Sequence, residues 1–229
     1  MDRNTNLTTD ANISMKSKYF EIKYEKNDEA FAQTLAARAD MLYEDLIRKF
    51  GFGNLFEGEK IILTVCATVS RYLEETGKCA EEYQEWMVGN CDFKDRKITI
   101  LSPRISTTHT ADELEKVFVH ETIHMIFDTY AGNLLAPIWC AEGIATLFAE
   151  QVPLNYIDEK NYPPITELLD EETFATNGGY DYSGVYVWYY IQRYGFAKFL
   201  ELYTNAPGTC ELIYEGFELD AIREIKKSV

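Results

Sequence analysis

The stretch from Thr110 to Gly132 constrains the fold most, because the signals for both ends of a long helix are present in it. Thr110 and Glu113 have the spacing of a capping box, which predicts a helix that begins at about Ala111. Gly132 is a typical residue for the C-terminal end of a helix. Between these ends, apolar residues recur at helical spacing, at Leu114, Val117, Phe118, Ile123 and Phe127.

The pentad His120-Glu121-Thr122-Ile123-His124 lies inside this predicted helix. Residues four apart project from the same helix face, so both imidazoles can reach one metal ion. A carboxylate directly after the first histidine can accept a proton from water, which is its role in zinc hydrolases. Two histidines leave such a site one protein ligand short, since catalytic zinc commonly takes three.

Three residues near the pentad are weaker candidates for the missing ligand. His109 precedes the helix cap and lies about three turns from His120, too far along the helix axis to join it easily. Asp128 follows His124 by four residues, where a carboxylate more readily accepts a hydrogen bond from a ligand histidine. Cys140 is more typical of a small buried thiol.

Glu142 is the stronger candidate, because it lies near the start of the next predicted helix, from Pro137 to about Gln151. A helix, a short turn and a returning helix can bring its carboxylate back to the two imidazoles. The pentad H-E-x-x-H followed by P-x-W-x-x-E-G-x-A resembles the gluzincin branch of the zinc metallopeptidases, and most of all the small peptidase MA-like domains. The second motif is also similar to the W-L-N-E-G-F-A motif of the M1 aminopeptidases.

The resemblance implies a specific set of roles. Zn2+ would be bound by His120, His124 and Glu142, and Glu121 would act as the general base. A tyrosine just before an apolar helix would support the negative charge that forms on the substrate carbonyl. Tyr180 matches that position, ahead of a helix predicted from about residue 183 to 194, and Tyr182 is the alternative.

One departure from the M1 aminopeptidases bears on the reaction. Their G-x-M-E-N segment helps to bind the free amine of the substrate, and the region from Gly89 to Leu101 has no such segment. An endopeptidase is therefore favoured over an aminopeptidase. Two other functions stay open, a zinc-binding interaction domain without proteolysis and a zinc hydrolase of a small amide or ester.

The order of predicted elements indicates an α+β fold, because strands at 18–24, 60–66 and 98–101 precede an all-helical second half. The resemblance implies a zincin-like fold, with a small mixed sheet in the N-terminal half, a helical C-terminal half and a cleft between them. The proline that follows the strand at 98–101 predicts that this strand forms the sheet edge, where an extended peptide could pair with it.

The domain prediction is a flexible tail at 1–17 and a single catalytic domain at 18–229, with a sheet-bearing lobe at 18–132 and a helical lobe at 133–229. Trp139 is predicted to pack in the core, and Gly143 to allow a close approach of two helices. Thr146, one turn after Glu142, is a candidate to hydrogen-bond a ligand.

The composition limits the classes of partner that the protein is expected to bind. With 22 basic and 38 acidic residues the formal net charge is −16, which repels phosphate backbones and anionic membranes, so neither nucleic acid nor a membrane is expected. Five cysteines without a C-x-x-C pair predict reduced thiols. The amino terminus lacks the apolar core of a signal peptide, which favours the cytoplasm unless a leader has been removed. A peptide or protein substrate is the expected partner, and the oligomeric state is not predicted.

Overall fold

The computed structural model describes residues 13–56, 58–132, 136–205 and 210–228. The chain forms two compact units, 1–118 and 119–229, and the division falls inside one helix. The sequence predicts the boundary between the lobes at residue 132, just after this helix. Both histidines of the pentad belong to the second unit.

The first unit carries a five-stranded mixed sheet with the strand order β1-β2-β3-β5-β4. Strands β2, β3 and β5 run parallel, whereas β1 and β4 pair antiparallel with β2 and β5. Among the described residues, two α-helices lie between these strands along the chain. The elements are β1 (Ile13–Lys16), β2 (Phe20–Tyr24), α1 (Glu29–Phe50), β3 (Ile61–Cys66), α2 (Val69–Thr76), β4 (Gly89–Asp92) and β5 (Lys97–Leu101).

Two predictions about this unit are wrong. The strand at 98–101 is not an edge strand, because β5 pairs with β3 on one side and with β4 on the other, so it has no free edge for a peptide. The predicted tail is too long, because residues 13–16 form β1; residues 1–12 lie outside the described part of the chain. The predicted strand at 60–66 is confirmed as β3, which lies in the middle of the sheet.

Asp28 stands at the N-terminal end of α1, yet its side chain does not cap the helix. Its buried carboxylate instead accepts hydrogen bonds from Arg104, at 2.8 and 2.9 Å, and from the Ser102 hydroxyl. A buried carboxylate needs such partners to offset its lost hydration. The contact ties the chain that leaves β5 to the start of α1.

The helix that crosses the division is α3 (Ala111–Ala131), and its ends match the sequence prediction. The Thr110 amide donates to the Glu113 carboxylate at 2.8 Å, and the Glu113 amide donates to the Thr110 hydroxyl at 3.3 Å, which is the predicted capping box. Gly132 follows with a φ of 70°, in the left-handed region that favours glycine at helix ends.

The described residues of the second unit after α3 contain helices and no strand, as predicted. These helices are α4 (Ile138–Phe148), α5 (Glu171–Phe174), α6 (Gly179–Tyr194), α7 (Phe196–Asn205) and α8 (Phe217–Ser228). One prediction needs correction here, because Tyr180 lies in the first turn of α6 and not ahead of it. The α+β arrangement, with a mixed sheet followed by a helical half, is confirmed.

Gly143 brings α4 and α6 into backbone contact. A Cβ atom at this position would lie 2.6 Å from the Ser183 carbonyl oxygen and 2.5 Å from Cγ2 of Val187, both on α6. No side chain fits in that space, so the predicted role of Gly143 in close helix approach is confirmed. Trp139, one turn earlier on α4, is fully buried, as predicted. No helix in the described ranges has the length and apolar character needed to cross a membrane.

Candidate metal centre

Helix α3 presents His120 and His124 from adjacent turns of one face. The two ring centroids lie 4.7 Å apart, and the two Nε2 atoms are separated by 3.0 Å. The convergence follows from the i, i+4 spacing, which stacks side chains on one helix face. Both rings therefore direct the same nitrogen to a common point.

Glu142 supplies the third group from the second turn of α4. Its Oε2 lies 3.2 Å from Nε2 of His120, and its Oε1 lies 3.5 Å from Nε2 of His124. The three ligand atoms all lie within 4.8 Å of one another, so the group could hold a metal ion. The structure thus brings together the three residues that the sequence predicts as metal ligands.

The electrostatics of the cluster favour a cation at this point. Burial alone would raise the pKa of Glu142, but the charge of His124 and the close contacts with both histidines hold it well below its usual range. Burial likewise lowers the pKa of His124, but the carboxylates of Glu142 and Glu121 overcome this effect and raise it to about 9. The carboxylates of Glu142 and Glu121 thus surround His124 with negative charge, which favours a cation at this point.

Glu121 is buried, with 8% of its surface exposed. Its negative charge helps to raise the pKa of His124, and it also raises the pKa of Tyr180. The carboxylate therefore lies close enough to both residues to affect them. It is not one of the three grouped ligands.

The two candidate tyrosines have different surroundings. Burial of the hydroxyl, and then the charges of Glu142 and Glu121, raise the pKa of Tyr180, so its phenol remains a hydrogen-bond donor at neutral pH. Although burial raises its pKa, 38% of the surface of Tyr180 is exposed. Tyr182 is buried, and its hydroxyl accepts from the Asp158 amide at 3.0 Å and donates to the Asn161 carbonyl at 3.0 Å. Its hydroxyl is bound to that loop and serves to hold it.

Asp128 is a structural acid on the face of α3 that carries the histidines. Its Oδ1 accepts a hydrogen bond at 3.0 Å from Tyr203 of α7, a buried residue. Burial raises the pKa of Asp128, although the charge of His124 acts against this effect. The negative charge of Asp128 in turn contributes to the raised pKa of His124.

Among the described residues, Cys140 is not a member of the group that could hold a metal ion. Burial raises the pKa of the Cys140 thiol well above its usual value, which agrees with the predicted inert thiol. Thr146 is buried, and its methyl group lies against Gly184 of α6.

Gln151 is the polar neighbour of the cluster that the sequence does not reveal. Its Oε1 lies 2.8 Å from Nδ1 of His120. Gln151 follows α4 by three residues and belongs to no motif, and nothing in the local pattern of residues indicates where its side chain turns. The contact depends on the turn that ends α4.

Comparisons of the sequence with protein-family models and with curated proteins gave no match.

Proposed function

We propose that this protein is a zinc-dependent peptidase of the gluzincin type with a zincin-like fold. The spacing of the three ligand atoms carries the proposal. Zinc bonds of about 2.0–2.1 Å in a tetrahedral arrangement require ligand atoms about 3.3 Å apart. In the cluster the two Nε2 atoms lie 3.0 Å apart, Nε2 of His120 lies 3.2 Å from Oε2 of Glu142, and Nε2 of His124 lies 3.5 Å from its other oxygen, Oε1. The donor set, two neutral imidazoles and one carboxylate, is the one that catalytic zinc takes in several peptidases.

His120, His124 and Glu142 would hold the ion, and Glu121 would handle the proton. When bound, zinc supplies a Lewis acid that polarises a carbonyl group and makes a water molecule more acidic. Glu121 then accepts one proton from the attacking water and later delivers it to the nitrogen of the leaving amine. Its burial supports this role, because bulk water does not compete strongly for the carboxylate.

Tyr180 would donate a hydrogen bond to the carbonyl oxygen of the substrate as negative charge forms there. Its phenol stays protonated at neutral pH, and its surroundings contain the charges of both Glu121 and Glu142. A fixed donor at such a position stabilises the transition state more than the ground state.

Replacing Tyr180 with phenylalanine should lower kcat by about 10²–10³-fold, the usual cost of removing one donor to such an oxygen. Zinc affinity should stay near that of the parent, because the phenol is not part of the ligand group. Steady-state kinetics on a single peptide would measure the effect. The matched variant Tyr182→Phe removes a hydroxyl that holds the 158–161 loop, and its kcat should remain close to the parent value. A Tyr180→Phe enzyme with unchanged kcat would remove this residue from the mechanism.

The experiment that tests the function is hydrolysis of a mixed peptide library by the zinc-loaded protein, with and without a chelator. Half of the library has acetylated amino termini. We expect cleavage within both halves, abolished by the chelator and restored by added zinc. Cleavage confined to free amino termini would replace the endopeptidase by an aminopeptidase. Bound zinc without any cleavage would support an interaction domain, and activity only on small amides or esters would support the third function.

A further inference from the structure

Gln151 contacts the ring nitrogen of His120 that does not face Glu142. Its Oε1 lies 2.8 Å from Nδ1, and because an amide oxygen accepts hydrogen bonds, this contact favours a proton on Nδ1. A neutral imidazole has one such proton, and Nε2 is then left with its lone pair. Nε2 is also the nitrogen that lies 3.2 Å from Glu142.

The end of α4 places Gln151 at this position. The Gln151 amide donates to the Thr146 carbonyl at 3.0 Å, and the Glu150 amide donates to the Leu147 carbonyl at 3.3 Å. These two bonds define a Schellman motif, in which the residue between helix and exit adopts the left-handed conformation. Glu150 does so with a φ of 56°, although it is not a glycine. Such a conformation is rare for a residue with a side chain and is retained only where its surroundings enforce it.

Val152, the residue after Gln151, is also held in place by its packing. Val152 packs against Gly184 of α6, where an added Cβ atom would lie 2.7 Å from its Cγ2. Gln151 is therefore fixed on one side by the helix-ending turn and on the other by a close contact with α6. Its side chain is thus presented to His120 by well-anchored backbone.

We propose that Gln151 is a positioning residue for the metal centre: its amide oxygen holds His120 in the Nδ1–H form and aims Nε2 at the ion. Helix α4 places Glu142 near Nε2 of His120, and the turn that ends α4 places Gln151 near Nδ1. This inference rests on the proposed metal site. A neutral amide orients the ring without adding a fourth carboxylate to a cluster that already contains Glu121, Asp128 and Glu142.

The test measures zinc binding by the full-length protein in competition with a chromophoric chelator. Gln151→Leu, which removes the acceptor at similar size, should weaken zinc binding about 10–100-fold, the usual effect of losing such a partner. Gln151→Glu keeps an acceptor at the same place and should restore binding to the parent level or beyond it. Gln192→Leu serves as the matched control, because it makes the same change at an exposed glutamine of α6. Its zinc affinity should equal that of the parent.

A second measurement reads the tautomer directly. In the zinc-free parent with a neutral His120 ring, the ¹⁵N chemical shifts of His120 should report a protonated Nδ1, and in Gln151→Leu they should move towards a mixture of the two tautomers. A protonated Nε2 in the parent, or unchanged zinc affinity in a folded Gln151→Leu protein, would overturn the inference. If Gln151→Leu does not fold, the tautomer of His120 in the parent protein tests the inference by itself. If zinc binding follows these expectations but no peptide is cleaved, the peptidase proposal is refuted and the inference about Gln151 stands.

Discussion

Replacing Glu121 with glutamine should lower peptide turnover by about 10²–10⁴-fold, the range that general acid–base catalysis usually contributes. Glutamine has nearly the same shape as glutamate but cannot accept the proton of the attacking water. Zinc should remain bound, because Glu121 is not one of the three grouped ligands. Its affinity should fall only modestly, since the lost charge acts on His124 from nearby without a ligand bond.

The measurement combines kcat on one peptide with the zinc content of the same preparation. Glu115→Gln is a matched control, because it makes the same chemical change on the same helix at a carboxylate that pairs with Arg38. Its turnover should equal that of the parent. A Glu121→Gln protein that binds zinc and is as active as the parent would eliminate the proposed mechanism.

Replacing both His120 and His124 with alanine should reduce bound zinc from a single equivalent to background and abolish hydrolysis. The change removes two of the three groups that could hold the ion and leaves a lone carboxylate. A single carboxylate does not retain zinc against a competing chelator. Zinc analysis after gel filtration, with far-UV circular dichroism to check folding, would measure the outcome.

The third histidine provides the control for that experiment. Nδ1 of His109 lies 2.8 Å from the Thr108 hydroxyl, and His109 is not a member of the grouped ligands. His109→Ala should therefore keep full zinc content and activity. If the double variant still carried a full equivalent of zinc, the ion would have to bind elsewhere in the chain, and the assignment of the centre would be wrong.

The parts of the fold that were predictable are those specified by neighbouring residues. The capping box at Thr110 and the left-handed glycines at Gly51 and Gly132 act over a few residues, so the sequence alone marks where α1 and α3 end. Strand β4 was missed because Gly-Asn-Cys-Asp has none of the branched or aromatic residues that favour strands. The edge position assigned to β5 was wrong because a proline ends a strand without specifying its neighbours.

The candidate site, too, could be predicted only in part from the sequence. His120 and His124 are related by helix geometry, and Glu142 follows from its motif, so these positions could be read from the chain. The distances among them confirm that the three side chains converge. The contact of Gln151 could not be read, because it requires both a left-handed Glu150 and a specific side-chain rotamer, neither of which leaves a pattern in the sequence.

The backbone contact at Gly143 has a mechanical consequence for the site. Helices separated by side chains can shift as those side chains change rotamer, whereas two backbones in direct contact lack that freedom. Glu142 precedes the contact by one residue on α4, and Tyr180 lies one turn before Ser183 on α6. The carboxylate and the phenol should therefore move as one rigid body. Adjustment to substrates of different size would then have to come from segments that carry neither residue.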